Sequence, residues 1–132
     1  MPGYVENIEE LALANTNFRK VVFTGQHVQL VLMRLGPNEE IGEEVHEVTD
    51  QFLRIEAGEG KVIIDGNEYN ILGGSAAVVP AGSQHNVINV SESEQLKLYT
   101  IYSPAHHEDG IVRLTKEEAK ANGPEFDGKT SE

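Results

Sequence analysis

No cysteine occurs among the 132 residues, so disulfides, thiolate metal sites and cysteine nucleophiles are excluded, and any metal must be held by nitrogen and oxygen. Basic residues are scarce: 10 Lys and Arg stand against 22 Asp and Glu, for a formal net charge of -12. That balance repels the phosphates of nucleic acid and the anionic face of a membrane, and no basic cluster overrules it. The same acidity also serves solubility. No apolar run approaches the ~20 residues that a membrane span needs. Met1 to Glu6 carries neither the basic region nor the apolar stretch of a leader, so a cytoplasmic location is expected. Internal repeats, low-complexity blocks and linkers are lacking too, which leaves a single domain over 1–132 as the expectation.

What is present reads as a folded chain: hydrophobic residues make up 39% and charged residues 24%, and a chain of this length buries roughly two thirds of its unfolded surface. Asn7 is placed to cap a short helix through Glu9, Glu10, Leu11, Leu13 and Ala14, with its acids in the first turn. From Asn17 to Tyr102 short runs rich in β-branched and aromatic residues alternate with Gly, Pro, Asn and Asp, the pattern of antiparallel strands. About eight or nine strands are expected. They fall at Phe18 to Phe23, Val28 to Leu35, Glu40 to His46, Gln51 to Glu56, Lys61 to Ile64, Glu68 to Leu72, Ala76 to Val79, His85 to Val90 and Leu96 to Tyr102. Asp65-Gly66 joins two of them as a type I′ hairpin turn. The fold class is all-β, a sandwich or barrel with short terminal helices. Beyond Tyr102, in a C-terminal extension over 103–132, Thr115 and Glu118 form a capping box for a helix over Lys116 to Ala121. Gly123-Pro124 stops that helix, and Glu125 to Glu132 read as disordered.

Two stretches carry chemistry. Gly74, Pro80, Gly82, His85 and Asn89 are spaced G-x5-P-x-G-x2-H-x3-N, which sets one imidazole just after a Pro-Gly turn at the start of a strand. The glycines permit positive φ and the proline fixes the turn, so these three are structural. Upstream, Glu44 and His46 are two apart and share one face of a strand, where one ion could bind both. The plainer alternative is a solvated pair on an edge strand. Asp50, next to Gln51, points to the opposite face.

These two segments resemble the paired motifs of the cupin superfamily, usually written G-x5-H-x-H-x3-4-E-x6-G and G-x5-P-x-G-x2-H-x3-N. The second is matched at every fixed position. In the first, Gly58 closes the motif, Gln51 stands where Glu is usual, His46 is the second histidine and Glu44 replaces the first. Asn38 stands at the leading glycine, with Gly36 nearby. The resemblance runs from about Phe18 to Tyr102 and, more narrowly, is to small single-domain cupins of the mannose-6-phosphate isomerase-like group. It implies a double-stranded β-helix, the cupin jelly-roll barrel, with one divalent metal held by Glu44, His46, Gln51 and His85. Two imidazoles and a carboxylate fit Mn, Fe, Ni or Zn. Small cupins of this kind also imply a homodimer.

Activity follows by the same resemblance: a metal-dependent enzyme on a small oxygenated molecule such as a sugar, sugar phosphate or keto acid, with isomerisation in the lead. Fe(II) dioxygenase chemistry and a non-catalytic module that binds a small ligand are the alternatives. Few bases accompany the site, leaving Glu44 or a water on the ion. Arg34 and Arg54 are the central arginines, and nothing in the sequence gathers them into a grip for phosphate. Strand alternation puts Leu53 and Ile55 beside Gln51, and Val87 beside His85, as an apolar lining. Tyr102, or Tyr99 in a slipped register, offers a polar contact to a ligand, and Asn89 either bonds within the site or braces the turn. His27 is expected on the surface, and so are His106 and His107, because an adjacent pair does not readily face one ion.

Overall fold

Inside and outside alternate along the strands as the pleat requires. On the last long strand Leu96, Leu98, Thr100 and Tyr102 are buried while Lys97, Tyr99 and Ile101 are not, so the interior row contains Tyr102 and excludes Tyr99. The computed structural model describes residues 3–131; what the sequence suggested for Met1, Pro2 and Glu132 lies outside the described residues. The element order is α1 (Ile8–Ala14), β1 (Arg19–Thr24), β2 (Gln29–Leu35), β3 (Glu44–Val45), β4 (Asp50–Ala57), β5 (Glu59–Ile64), β6 (Asn67–Leu72), β7 (Ala76–Val79), β8 (Gln84–Asn89), β9 (Leu96–Ser103), β10 (Val112–Arg113) and α2 (Lys116–Ala121). No helix among the described residues is long and apolar enough to cross a membrane.

The strands form two antiparallel sheets. One has six strands in the order β10-β1-β2-β9-β4-β7 and the other has four in the order β3-β8-β5-β6. Neighbours such as β2-β9 and β5-β8 are far apart in sequence, which is the double-stranded β-helix expected. Asp65 and Gly66 have φ of 50° and 83°, the doubly left-handed turn that joins β5 to β6. Both helices begin on the caps foreseen: Asn7 accepts from the Glu10 amide at 3.1 Å, and Thr115 from the Glu118 amide at 3.1 Å.

Between the sheets lies one apolar core, built from Val31, Met33 and Leu35 of β2, Leu53 and Ile55 of β4, Val62 of β5, Val87 of β8, and Leu96 and Leu98 of β9. Leu53, Ile55 and Val87 sit where alternation put them. Asn89 braces rather than binds: its side-chain amide donates to the carbonyls of Leu35, Gly36 and Glu94 at 3.2, 2.9 and 2.9 Å.

Gly58, the residue that ends the first motif, has φ of +92°, and a Cβ there would stand 2.5 Å from the Gln95 carbonyl oxygen. Positive φ and a backbone collision act together, so Gly58→Ala is expected to cost roughly 2–4 kcal/mol, read as a lower denaturant midpoint at unchanged slope.

The segment beyond β9 departs from the sequence reading. Val112–Arg113 adds a strand, pairing with Arg19 and Lys20 of β1. The stretch over 125–131 is tied down rather than disordered. Glu125 bridges to His107, the Phe126 amide donates to the His106 carbonyl, and Ser131 exchanges hydrogen bonds with the Thr24 backbone. Polar composition concealed this because the bonds are backbone ones, which leave no hydrophobic pattern.

Candidate metal centre

The site lies between the ends of the two sheets. Glu44 on β3 and His85 on β8 are directly paired, so their side chains share one face of the four-stranded sheet. Gln51 on β4 pairs with Tyr102 on β9 across the six-stranded sheet. His46 follows β3 and turns inward between them.

Glu44, His46 and His106 offer ligand atoms that all lie within 4.8 Å of one another. Glu44 Oε2 lies 3.8 Å from His46 Nε2. The ring of His85 is 5.0 Å from that of His46, centroid to centroid, and the ring of His106 is 4.1 Å from it. His85 donates through Nδ1 to the Ser83 carbonyl at 3.1 Å, which leaves Nε2 as its free nitrogen. Gln51 is oriented in a similar way. Its amide nitrogen donates to Thr100 Oγ1 at 3.0 Å, so its Oε1 is the free end.

Two of these ligand atoms are orphans. His46 Nε2 and Gln51 Oε1 are buried with no hydrogen-bond partner, and such a vacancy costs about 1–3 kcal/mol per group unless something satisfies it. A cation would satisfy both, and nitrogen and oxygen donors of this mixture suit a first-row divalent ion. The residues present therefore fit a metal.

The surroundings of His46 and His106 favour the neutral imidazole, the form that ligates. Burial pulls His46 down to about 4, helped by the neighbouring charges of His106, His85 and Arg19. Burial likewise lowers His106, against the upward pull of Glu44 and Glu125. Tyr102 is driven above the usual phenol range by burial, so it stays protonated.

His106 and His107 correct the sequence reading. They were expected at the surface; His107 is 5% exposed and His106 is half-buried inside the site. Gln29 supplies the reason. This buried side chain accepts from the backbone amides of His106 and His107 at 3.2 and 3.0 Å and donates to the His107 carbonyl at 2.8 Å and to Thr24 Oγ1 at 2.9 Å. The backbone is thereby clamped against the barrel end, and the adjacent rings part. His106 turns to His46, while His107 Nε2 lies 3.4 Å from the Tyr102 hydroxyl. An adjacent pair need not share one ion; here one ring faces the site and the other underpins it. The signal available beforehand was Gln29, a polar residue at an inward position of β2.

Other placements agree with alternation. His27 is exposed, and Asp50 faces outward, where it accepts from the Ala81 amide at 2.8 Å. Arg54 pairs with Glu56 at 3.2 Å and Arg34 donates to the Thr16 carbonyl at 3.1 Å, so neither serves the site. The arginine that turns inward is Arg19 of β1, 8% exposed.

Comparison with known proteins agrees with the fold. The sequence profile of the cupin domain matches residues 31–102. The uncharacterized protein YrkC of Bacillus subtilis is 45% identical over 124 residues, which cover 89% of this chain and 66% of YrkC, just under two thirds of that relative's length. An uncharacterized protein of Acanthamoeba polyphaga mimivirus is 41% identical over 123 residues, covering 91% of this chain and 77% of its own. Among solved structures, that of BH2720 from Bacillus halodurans superposes with a TM-score of 0.89 at 39% identity, covering 92% of this chain and 96% of its own. With its double-stranded β-helix and the profile match across the barrel, the chain belongs to the cupin family.

Proposed function

We propose that this cupin is a metal-dependent enzyme acting on a small oxygenated molecule, with one divalent ion held by Glu44, His46 and His106 and flanked by His85 and Gln51. The observation that carries this reading is the pair of buried, unpartnered ligand atoms, His46 Nε2 and Gln51 Oε1, beside a carboxylate and two further imidazoles. When bound, such an ion polarises a carbonyl or acidifies a water. The leading variant is isomerisation of a sugar, sugar phosphate or keto acid, in keeping with the resemblance to mannose-6-phosphate isomerase-like cupins. Glu44, whose side chain is 30% exposed, is the carboxylate placed to move a proton at the mouth of the site. Tyr102, kept protonated by its burial, is a hydrogen-bond donor rather than a base. The same proposal takes in a cytoplasmic location, an ion drawn from Mn, Fe, Ni or Zn, and a homodimer meeting at the sheet edges. Tyr69 and Leu72 of β6 and Val78 of β7 are exposed on those edge strands.

One observation favours a second reading. Glu44, His46 and His106 are a two-histidine, one-carboxylate set, the ligand set of non-haem Fe(II) oxygenases. Oxygen uptake by the iron-loaded protein with diols and diketones separates the two. The decisive test of either is elemental analysis of the purified protein after reloading with Mn, Fe, Ni and Zn. About one equivalent of metal is expected. Protein that holds no stoichiometric metal from any of the four is not a metalloenzyme, and a non-catalytic small-ligand module would then stand.

A further inference from the structure

Arg19 belongs to no ion pair among the described residues, and its Nε is buried without a hydrogen-bond partner. Its guanidinium carbon lies 5.2 Å from the centre of the Phe18 ring, a contact with one face of the group that leaves the in-plane donors unused. An arginine is charged at every working pH, and burying its charge without a counter-ion is costly, more so than leaving out a neutral hydrogen bond. The sequence places it there through strand alternation, Arg19 and Val21 turning in while Lys20 turns out. Nothing about the fold demands a cation at that position: β2 has apolar Val31, Met33 and Leu35 at its inward sites.

What Arg19 faces is a cleft of about 330 Å³, lined also by Phe18, Gly42, Glu44, Lys116 and Lys120. Glu44 is common to the cleft and the metal cluster, so the two adjoin. The charge of Arg19 also reaches His46, His106 and His107, where it adds to the lowering by burial, and Tyr102, where it works against the rise that burial causes. Of the cleft's acids, Glu43 is occupied by Gln84 Nε2 at 2.8 Å and Glu44 is turned to His46. In a chain of net charge -12, a cleft that gathers Arg19, Lys116 and Lys120 runs against the overall balance.

We infer that this cleft binds the carboxylate of a small substrate on the guanidinium of Arg19, so that an adjoining hydroxyl or carbonyl oxygen of the same molecule is presented at the Glu44, His46 and His106 cluster. This rests on the metal reading for its second half only. The planar fork of arginine matches a carboxylate in two parallel hydrogen bonds, and its buried Nε is one donor of that fork. Lys116 and Lys120, on α2 at the rim, draw the anion in without fixing its orientation. The substrate class narrows accordingly from oxygenated molecules in general to 2-hydroxy or 2-oxo carboxylates.

The experiment is calorimetric titration of metal-loaded and metal-free protein with pyruvate, with neutral hydroxyacetone and with inorganic phosphate, alongside metal analysis of each variant. Pyruvate is expected to bind wild type and to weaken at least ~10-fold in Arg19→Met, while hydroxyacetone changes little and the metal content stays at the wild-type level. Should Arg19→Met fail to fold, Arg19→Lys reads the same contrast, keeping a point charge without the fork and giving an intermediate loss. Equal pyruvate affinity in wild type and the arginine variants overturns the inference, as does wild type that binds no pyruvate. Phosphate bound more tightly than pyruvate with the same dependence on Arg19 overturns the assignment to carboxylates. Arg19-dependent pyruvate binding by protein that takes up no metal sustains the anion site and removes the metal reading, so the two fail separately.

Discussion

His46→Ala is expected to lower affinity for a divalent ion by at least ~100-fold, because it deletes the buried ligand about which the others gather. Glu44 Oε2 is 3.8 Å from His46 Nε2, and the rings of His106 and His85 lie 4.1 and 5.0 Å from the His46 ring. Removing either outer histidine leaves Glu44, His46 and the other histidine, so His106→Ala and His85→Ala are each expected to cost about 10- to 100-fold. Competition titration against a chromophoric chelator measures all three. The ranking is informative: His85 outranking His106 would return the ion to the position implied by the two sequence motifs and away from the segment after β9. His46→Ala that binds metal as wild type does would remove the centre altogether.

The stability of the apo His46→Ala protein provides a second check on that assignment. A core imidazole truncated to a methyl normally destabilises, yet this one carries an unsatisfied nitrogen whose removal relieves a desolvation cost of about 1–3 kcal/mol. The two effects oppose each other, so a small net change at neutral pH is expected in the metal-free protein. In the loaded protein, the wild type gains the linkage energy of the bound ion and the variant does not. The gap in melting temperature between the two proteins should therefore open on adding metal.

Much of the barrel was legible because it obeys local rules. Asp65-Gly66 needs positive φ at both positions and takes the only hairpin turn that supplies it. Leu53, Ile55, Val87 and Tyr102 fall inward because a strand has period two. Glu44 pairs with His85 on a strand of only two residues, shorter than the run from Glu40 to His46 that the sequence suggested, and His46 follows just beyond it. His106 was illegible because what turns it inward is a hydrogen bond that its backbone amide donates to a side chain 77 residues earlier in sequence, Gln29, and no local pattern carries that information. Arg19 is illegible for another reason. Within an apolar run a charged residue reads as facing water, whereas here the strand's phase turns it in, and its Nε has no hydrogen-bond partner among the described residues. Polar residues that break a strand's inward row are thus where function departs from folding pattern.

Acid should unfold the metal-free protein well before carboxylate titration would account for it. His46 is held at about 4 in the folded state against 6.5 for the free side chain, and His106 and His107 are lowered as well, all three chiefly by burial. Groups whose folded pKa is depressed take up protons more readily in the unfolded chain. Their contribution is therefore complete above pH 6.5 and is lost as the pH falls from 6.5 toward 4, where the unfolded imidazoles charge and the folded ones do not. The gap for His46 alone corresponds to about 3 kcal/mol, a large share of the roughly 5–15 kcal/mol available to a domain of this size. Urea denaturation of apo protein between pH 7.5 and 4.5 should show the loss, and His107→Gln, which removes a titrating ring while keeping a polar partner for Tyr102, should flatten the curve. A profile unchanged until pH 4.5 would mean that these rings are solvated in the apo protein. Bound metal should delay the fall, since protons must then displace the ion before His46 can charge.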